Sequence, residues 1–330
     1  MPRWILLLAP TALCVTVASA DVAPPASARE FEISFAGTSR WVTVVKPDAL
    51  APNAPAVVLL HGGTQSMRKI FSDHAGGMRQ WLTVAEREKI LLLIPNATNA
   101  KTGDAKGDNQ NWNDLRGAGT TGKTSADDVG FILHLLKWAQ EKYRHDPNRV
   151  FVTGASNGGM MTFRLLIEAP QAFSAAAAFI SSLPATAPAK PVNTKRVPLL
   201  LLNGTRDPLI QWEGGEIKGA RGKTMAIEPM VQWWRETNGV NQAPAVTETW
   251  PDTDPNDGCR LHHSAWQAQA PGAASVEFFR AEGGGHSLPS IAHPLRIGFA
   301  VRKLIGPTCR EAEGAELAWA FFKKHDAAAR

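Results

Sequence analysis

Ser156, in Gly154-Ala155-Ser156-Asn157-Gly158, is the residue of this sequence that says most about chemistry. It follows the apolar run 149–153 (Arg-Val-Phe-Val-Thr) and precedes 158–167, which has the pattern of a helix. A serine hydroxyl is a weak nucleophile unless it is held exposed beside a base and an anion-stabilising pocket. A sharp strand-to-helix turn gives that exposure, and glycines on both sides let the backbone make the turn. The five-residue pattern alone is common, so its flanks decide. Here they are β-branched and aromatic before the turn and helical after it.

Such a nucleophile needs a base, an orienting acid and an oxyanion pocket. Asp207 lies in Asn203-Gly204-Thr205-Arg206-Asp207-Pro208, just past an apolar run, and His286 lies in Gly283-Gly284-Gly285-His286, just past the last such run. The order serine, acid, histidine is that of the nucleophile-elbow hydrolases, and all three fall at carboxyl ends of expected strands. Taken singly, Asp207 could cap a turn before Pro208 and His286 could be an ordinary surface histidine. Their joint order and placement single them out over His262, His263, His293, Asp254 and Asp257. The run 57–64 (Val-Val-Leu-Leu-His-Gly-Gly-Thr) supplies the anion pocket. A His-Gly-Gly turn presents a backbone N–H, from Gly63 with Thr64 as the second choice, to pair with that of Asn157. His61 itself reads as structural. Trp112 and Trp212, on loops near the same edge, are candidates for substrate contact, with core packing the competing reading.

These residues need a scaffold. Apolar or alternating runs at 31–35, 41–46, 56–61, 90–95, 149–153, 175–180, 198–203 and 275–280 predict strands, and 78–88, 125–143, 157–168, 226–238 and 313–324 predict helices. Two leading strands followed by alternating strand and helix predict one mostly parallel sheet with helices on both faces, an α/β fold. The stretches 97–124, 183–195 and 250–260 are loop-like, and long loops in a compact fold usually shape binding sites. Residues 30–330 read as one catalytic domain after a loose Pro/Ala tail at 21–29.

Residues 1–20 read as an export signal: Arg3, an apolar run over 4–17, then Ala18-Ser19-Ala20. The run is too short to span a membrane and Pro10 interrupts it; lipid attachment at Cys14 is a weak reading because Leu13 is bulky. The expected location is therefore secreted or periplasmic. Two cysteines remain, Cys259 and Cys309, and in an oxidising compartment they predict one disulfide, with two buried thiols as the alternative. A formal charge of +5 without a Lys/Arg block gives no nucleic-acid signature. The oxygen-rich loop with Asp104, Asp108, Asn109, Asn111, Asn113 and Asp114 misses calcium-loop spacing, and no metal or cofactor is expected.

Several motifs together resemble the secreted esterase family of polyhydroxybutyrate depolymerase-like proteins, feruloyl esterases and acetylxylan esterases. They are Leu60-His61-Gly62, Trp81-Leu82 with Ala85-Glu86-Arg87-Glu88, Ile94-Pro95-Asn96, Trp112-Asn113 and Asp127-Asp128-Val129-Gly130-Phe131. The remainder are Asp146-Pro147, Ser156-Asn157-Gly158-Gly159-Met160, Gly204-Thr205 with Asp207-Pro208, and Gly283-Gly284-Gly285-His286. The resemblance implies an α/β-hydrolase fold with Ser156, Asp207 and His286 as triad. The chain departs from that pattern at Gly63, where many relatives carry cysteine, at Asn203, where histidine is frequent, and at Leu288, where tryptophan is common. The expected activity is an exported serine esterase of polyhydroxybutyrate depolymerase type, acting on hydroxyalkanoate oligomers or small soluble esters. Feruloyl or acetylxylan esterase activity on plant polysaccharide is the alternative, and a hydrolase-fold binding protein without turnover is a third reading.

Overall fold

The computed structural model describes residues 25, 27–116, 120, 122–187, 195–295 and 303–326. The expected signal at 1–20 lies outside them, as do residues 21–24 and 26 of the expected tail. The rest of that tail is a correction. Strand β1 (Ala28–Phe35) pairs antiparallel with β2 (Thr38–Val45) from Ala28 opposite Val45 onward, so Ala28 and Arg29 belong to the sheet. Cross-strand backbone bonding carries the ladder further than the hydrophobic pattern reached.

Then follow β3 (Ala56–Leu60), α1 (Gln80–Glu88), β4 (Leu91–Pro95), α2 (Asp128–Tyr143), β5 (Val150–Ala155), α3 (Asn157–Glu168), β6 (Ala175–Phe179) and β7 (Leu199–Gly204). A small hairpin of β8 (Gly215–Glu216) and β9 (Lys223–Thr224) precedes α4 (Ile227–Asn238). The chain continues through β10 (Val246–Thr249), β11 (Arg260–Trp266), β12 (Val276–Glu282) and a helix, α5 (Gly314–Lys324). Ten strands form one sheet in the order β1-β2-β4-β3-β5-β6-β7-β12-β11-β10. From β4 to β12 every neighbouring pair is parallel, and both ends of the sheet are antiparallel.

Central strands are apolar at successive positions because helices cover both faces. Along β3, Val58 and Leu60 join the core beneath α2, α3 and α4, with Phe131, Phe163 and Trp234. Val57 and Leu59 join the opposite core beneath α1 and α5, with Trp81, Trp319 and Phe322. Strands β10 and β11 were not anticipated. In β11 buried and part-exposed residues alternate, and β10 is mostly exposed. Their strand state comes from pairing on the free edge of β12, not from an apolar run. Helix α2 starts at Asp128 because the Asp127 side chain accepts the Gly130 N–H, an N-cap bond. The architecture is an α/β-hydrolase fold. No helix among the described residues is long and apolar enough to cross a membrane.

Candidate active site

Ser156 sits between β5 and α3 with φ 55° and ψ −120°. A non-glycine residue held there costs about 1–3 kcal/mol and persists only where its surroundings fix it. They do so here: the Ser156 N–H donates to Phe179 O at 2.9 Å, and Ser156 O accepts the Met160 N–H at 2.9 Å. The flanking glycines are steric requirements. A Cβ on Gly158 would lie 2.2 Å from Leu60 O, and one on Gly154 would lie 2.4 Å from Gly158 O. The helix can therefore approach the strands closely enough to leave the serine at the turn's apex.

The β7 end and the glycine loop after β12 bring Asp207 and His286 together. His286 Nδ1 is 2.7 Å from Asp207 Oδ2. The other carboxylate oxygen, Oδ1, accepts the N–H groups of Leu209 at 2.8 Å and Ile210 at 2.9 Å. The acid is thus buried and fixed by two backbone donors, and a proton on Nδ1 leaves Nε2 as the basic nitrogen. Ser156 and His286 both line one cavity of about 590 Å³. Among the described residues the Ser156 hydroxyl has no hydrogen-bond partner. Catalytic hydrogen bonds commonly tighten only once substrate is bound.

Gly63 and Asn157 border the same cavity. The Thr64 N–H donates to Gln110 O at 2.8 Å, which removes the second choice of oxyanion donor. The N–H groups of Gly63 and Asn157 have no protein acceptor among the described residues. A Cβ on Gly63 would lie 3.0 Å from Asn111 Oδ1 and 3.4 Å from Asn157 Cβ, so the glycine turn packs against the Asn157 side chain. The Asn157 side chain is also engaged. Its Oδ1 accepts the Trp112 N–H at 2.7 Å, and its Nδ2 donates to Asp114 Oδ2 at 2.6 Å.

Neither tryptophan borders the cavity. Trp112 is fully buried, and its Nε1 donates to His61 O at 2.9 Å. It packs under the glycine turn, where an indole with a satisfied N–H is stable. Trp212 packs near Phe278, with ring centroids 6.1 Å apart, in the core beneath α4. The structure thus favours core packing over substrate contact for both. Among the described residues the cavity wall has no aromatic ring besides the imidazoles of His61, His74 and His286. Its apolar part is aliphatic: Ile70, Met78, Met160, Ile180, Ile210 and Leu288.

His61 is structural. Burial pushes its pKa down to about 4, and the neutral ring bonds through Nδ1 to Gly62 O at 2.8 Å while Nε2 accepts the Ala97 N–H at 3.2 Å. Asp128 supports the same neighbourhood from below. Its Oδ1 accepts from Arg40 at 2.6 Å and its Oδ2 from the Asn113 N–H at 2.7 Å. Burial pushes its pKa up, opposed by Arg40. The Asp-Asp motif and the Trp-Asn motif are therefore two sides of one loop anchor. Sequence reasoning passed over Asp114, Arg116, Lys101 and Arg221 as site residues; the acidic spacing at 114 pointed only to metal. In the oxygen-rich loop, Asp104 caps the N–H groups of Lys106 and Gly107, and Asp108 accepts from Ser66.

Cys259 and Cys309 are joined by a disulfide, with Cα atoms 5.2 Å apart. The bridge ties β11 to the segment that carries the His286 loop: the Gly285 N–H donates to Pro307 O at 2.8 Å. A Glu311 carboxylate oxygen lies within 4.8 Å of both sulfurs, which bond each other and so do not form a free ligand set.

Comparison with known proteins finds hydrolases and esterases at low identity. The prolyl oligopeptidase family profile matches residues 103–184, the segment holding Ser156. An acetylxylan esterase of Coprinopsis cinerea is 29% identical over 266 residues, covering 74% of this chain and 65% of that protein. A poly(3-hydroxybutyrate) depolymerase of Ralstonia pickettii is 34% identical over 121 residues, 36% of this chain and 23% of that one. The chain thus spans about two thirds of the first relative and about a quarter of the second. The solved acetyl xylan esterase from Aspergillus awamori shares the fold, with a TM-score of 0.53 at 18% identity, covering 84% of this chain and 98% of that one.

Proposed function

On the premise that this α/β-hydrolase chain is a relative of acetylxylan esterases, feruloyl esterases and polyhydroxybutyrate depolymerases, we propose that it is an exported serine esterase. His286 Nε2 takes the proton from Ser156, and the serine oxygen attacks an ester carbonyl. Asp207 holds the imidazole in its Nδ1–H form and stabilises the charged ring. The N–H groups of Gly63 and Asn157 bind the oxyanion. Collapse of the tetrahedral intermediate releases the alcohol, protonated by His286, and water then cleaves the acyl enzyme by the same steps in reverse order. Two preorganised donors of this kind are each worth roughly 10²–10³ in turnover.

The observation that carries this reading is the strained serine opening on one cavity with an Asp207-bound imidazole and two unpartnered N–H groups. Short hydroxyalkanoate oligomers or small soluble esters suit the aliphatic wall. Leu288, at a position where many relatives carry tryptophan, leaves no aromatic platform for a feruloyl ring among the described lining residues. An acetylxylan substrate is the second reading, favoured by the relatives' names. Residues 30–330 are proposed to act as one catalytic domain, and the disulfide supports an oxidising location.

Purified protein is expected to hydrolyse 4-nitrophenyl butyrate and to react with a fluorophosphonate probe, with both properties lost in Ser156→Ala. Full activity in that variant would overturn the assignment. Failure of the wild type on both tests, with tight polyester or glycan binding, would indicate a binding protein instead. Cleavage of peptides in preference to esters would move the chain towards the oligopeptidase branch.

A further inference from the structure

The cavity wall is electrostatically one-sided. Among the described residues that line it are three cations, Lys101, Arg116 and Arg221, and no Asp or Glu. The internal segments outside the described residues (117–119, 121, 188–194 and 296–302) contain no Asp or Glu either, so none can supply a counter-charge. Arg116 is buried and neutralised: its Nε is 2.8 Å from Asp114 Oδ2. It serves as a seat for the β8–β9 hairpin, its Nη1 donating to Arg221 O at 2.9 Å. The hairpin is thereby held over the cavity beside the Asp114–Asn157 contact that borders the expected oxyanion pocket.

Lys101 and Arg221 differ from Arg116. Both are exposed at the cavity, and neither side chain has an ion pair or hydrogen bond among the described residues. Nearby acids are engaged elsewhere, Asp104 by the Lys106 and Gly107 N–H groups and Asp108 by Ser66. Two unpaired cations on the wall of a concave, partly apolar site favour an anionic group on whatever enters.

We propose that this wall is an anion subsite, and that the cavity takes esters carrying a free carboxylate, which Arg221 and Lys101 hold while the ester carbonyl reaches Ser156. The inference rests on the esterase reading and narrows it. A linear hydroxyalkanoate oligomer has the required chemistry, with alkyl branches for the aliphatic wall, an ester within reach and one terminal carboxylate. An acetylated sugar lacks the charge.

The test compares the linear 3-hydroxybutyrate dimer, whose terminal carboxylate is free, with its primary amide, which matches it in shape and is neutral. Wild-type kcat/KM is expected to favour the acid by roughly ten-fold, about 1.4 kcal/mol. That ratio should fall towards one in the Lys101→Met/Arg221→Gln double variant, and in the wild type at high salt, where exposed charges are screened. A ratio near one in the wild type, or an unchanged ratio in the double variant, would overturn the subsite. Hydrolysis of 4-nitrophenyl butyrate is run alongside, so that loss of the esterase reading is seen separately. Calorimetry on Ser156→Ala with the same two ligands reads the subsite without turnover. Tighter binding of the acid, abolished by the added double substitution, supports the subsite, and equal binding of acid and amide rejects it.

Discussion

Asn157 gives its backbone N–H to the cavity and its side chain to the loop that faces it. Because Asp114 and Trp112 clamp that side chain, Asn157→Ala keeps the N–H but frees its position. Small misplacements of an oxyanion donor are costly. The expected outcome is a kcat reduced about ten-fold with KM nearly unchanged, and fluorophosphonate labelling that is slower but retained. Steady-state kinetics on 4-nitrophenyl butyrate read it. Ser156 itself carries backbone strain at φ 55°. Replacing it by glycine, which accepts positive φ freely, should abolish hydrolysis and raise Tm by roughly 1–2 °C, the scale of a 1 kcal/mol gain in a chain of this length. A calorimetric scan showing Tm unchanged or lowered would contradict the strain assignment.

At the scale of elements, the close seating of α3 against β3 and β5 is what exposes the nucleophile. Gly158→Ala drives a methyl to within 2.2 Å of the Leu60 carbonyl oxygen, a backbone atom that cannot step aside. The variant is expected to lose several kcal/mol, about 3 or more, since helix and strand must separate. Urea unfolding of whatever soluble protein is recovered measures this. Most elements were legible beforehand. The pattern placed α3 at its observed bounds; α2 starts three residues later than the pattern because Asp127 caps it, and the other helix starts shift by one or two residues. Strands β10 and β11 escaped, since an edge strand with polar residues takes its conformation from a partner strand. The hairpin of β8 and β9 escaped for the same reason, and with it the cationic side of the cavity.

Over the whole molecule, two buried groups pull the pH dependence of stability in opposite directions. Burial, with Asp257 and Asp252 nearby, pushes the Glu311 carboxyl from its ordinary 4.5 up to about 7. Its neutral form therefore stabilises the fold fully below about 4.5, and that contribution is lost as pH rises towards 7. His61, pushed down from 6.5 to about 4 by burial, acts the other way: its contribution is present above 6.5 and lost as pH falls towards 4. Glu311→Gln should thus raise Tm at pH 8 by roughly 2–4 °C while changing it little at pH 4; an equal effect at both pH values would contradict the assignment. The disulfide beside Glu311 closes a loop of 50 residues that contains His286. Replacing both cysteines by serine is expected to lower stability by at most about 4 kcal/mol, read by urea midpoint, on the loop-entropy account.

The amino-acid sequence alone carried the alternation of strand and helix around one mostly parallel sheet, and the expectation that Ser156, Asp207 and His286 stand at carboxyl ends of its strands. Buried strands read as unbroken apolar runs, and a glycine-flanked serine is a local signal that needs no distant partner. Only the tertiary structure decided matters in which residues far apart in the chain compete for one place. Gln110 takes the Thr64 N–H and leaves Gly63 free; Trp112 turns inward to the His61 carbonyl; Asp114 holds Asn157; and Lys101 and Arg221 line one cavity that has no Asp or Glu among its described lining residues. Hydrogen-bond partners and uncompensated charge are properties of neighbours in space, and no spacing along the chain encodes them.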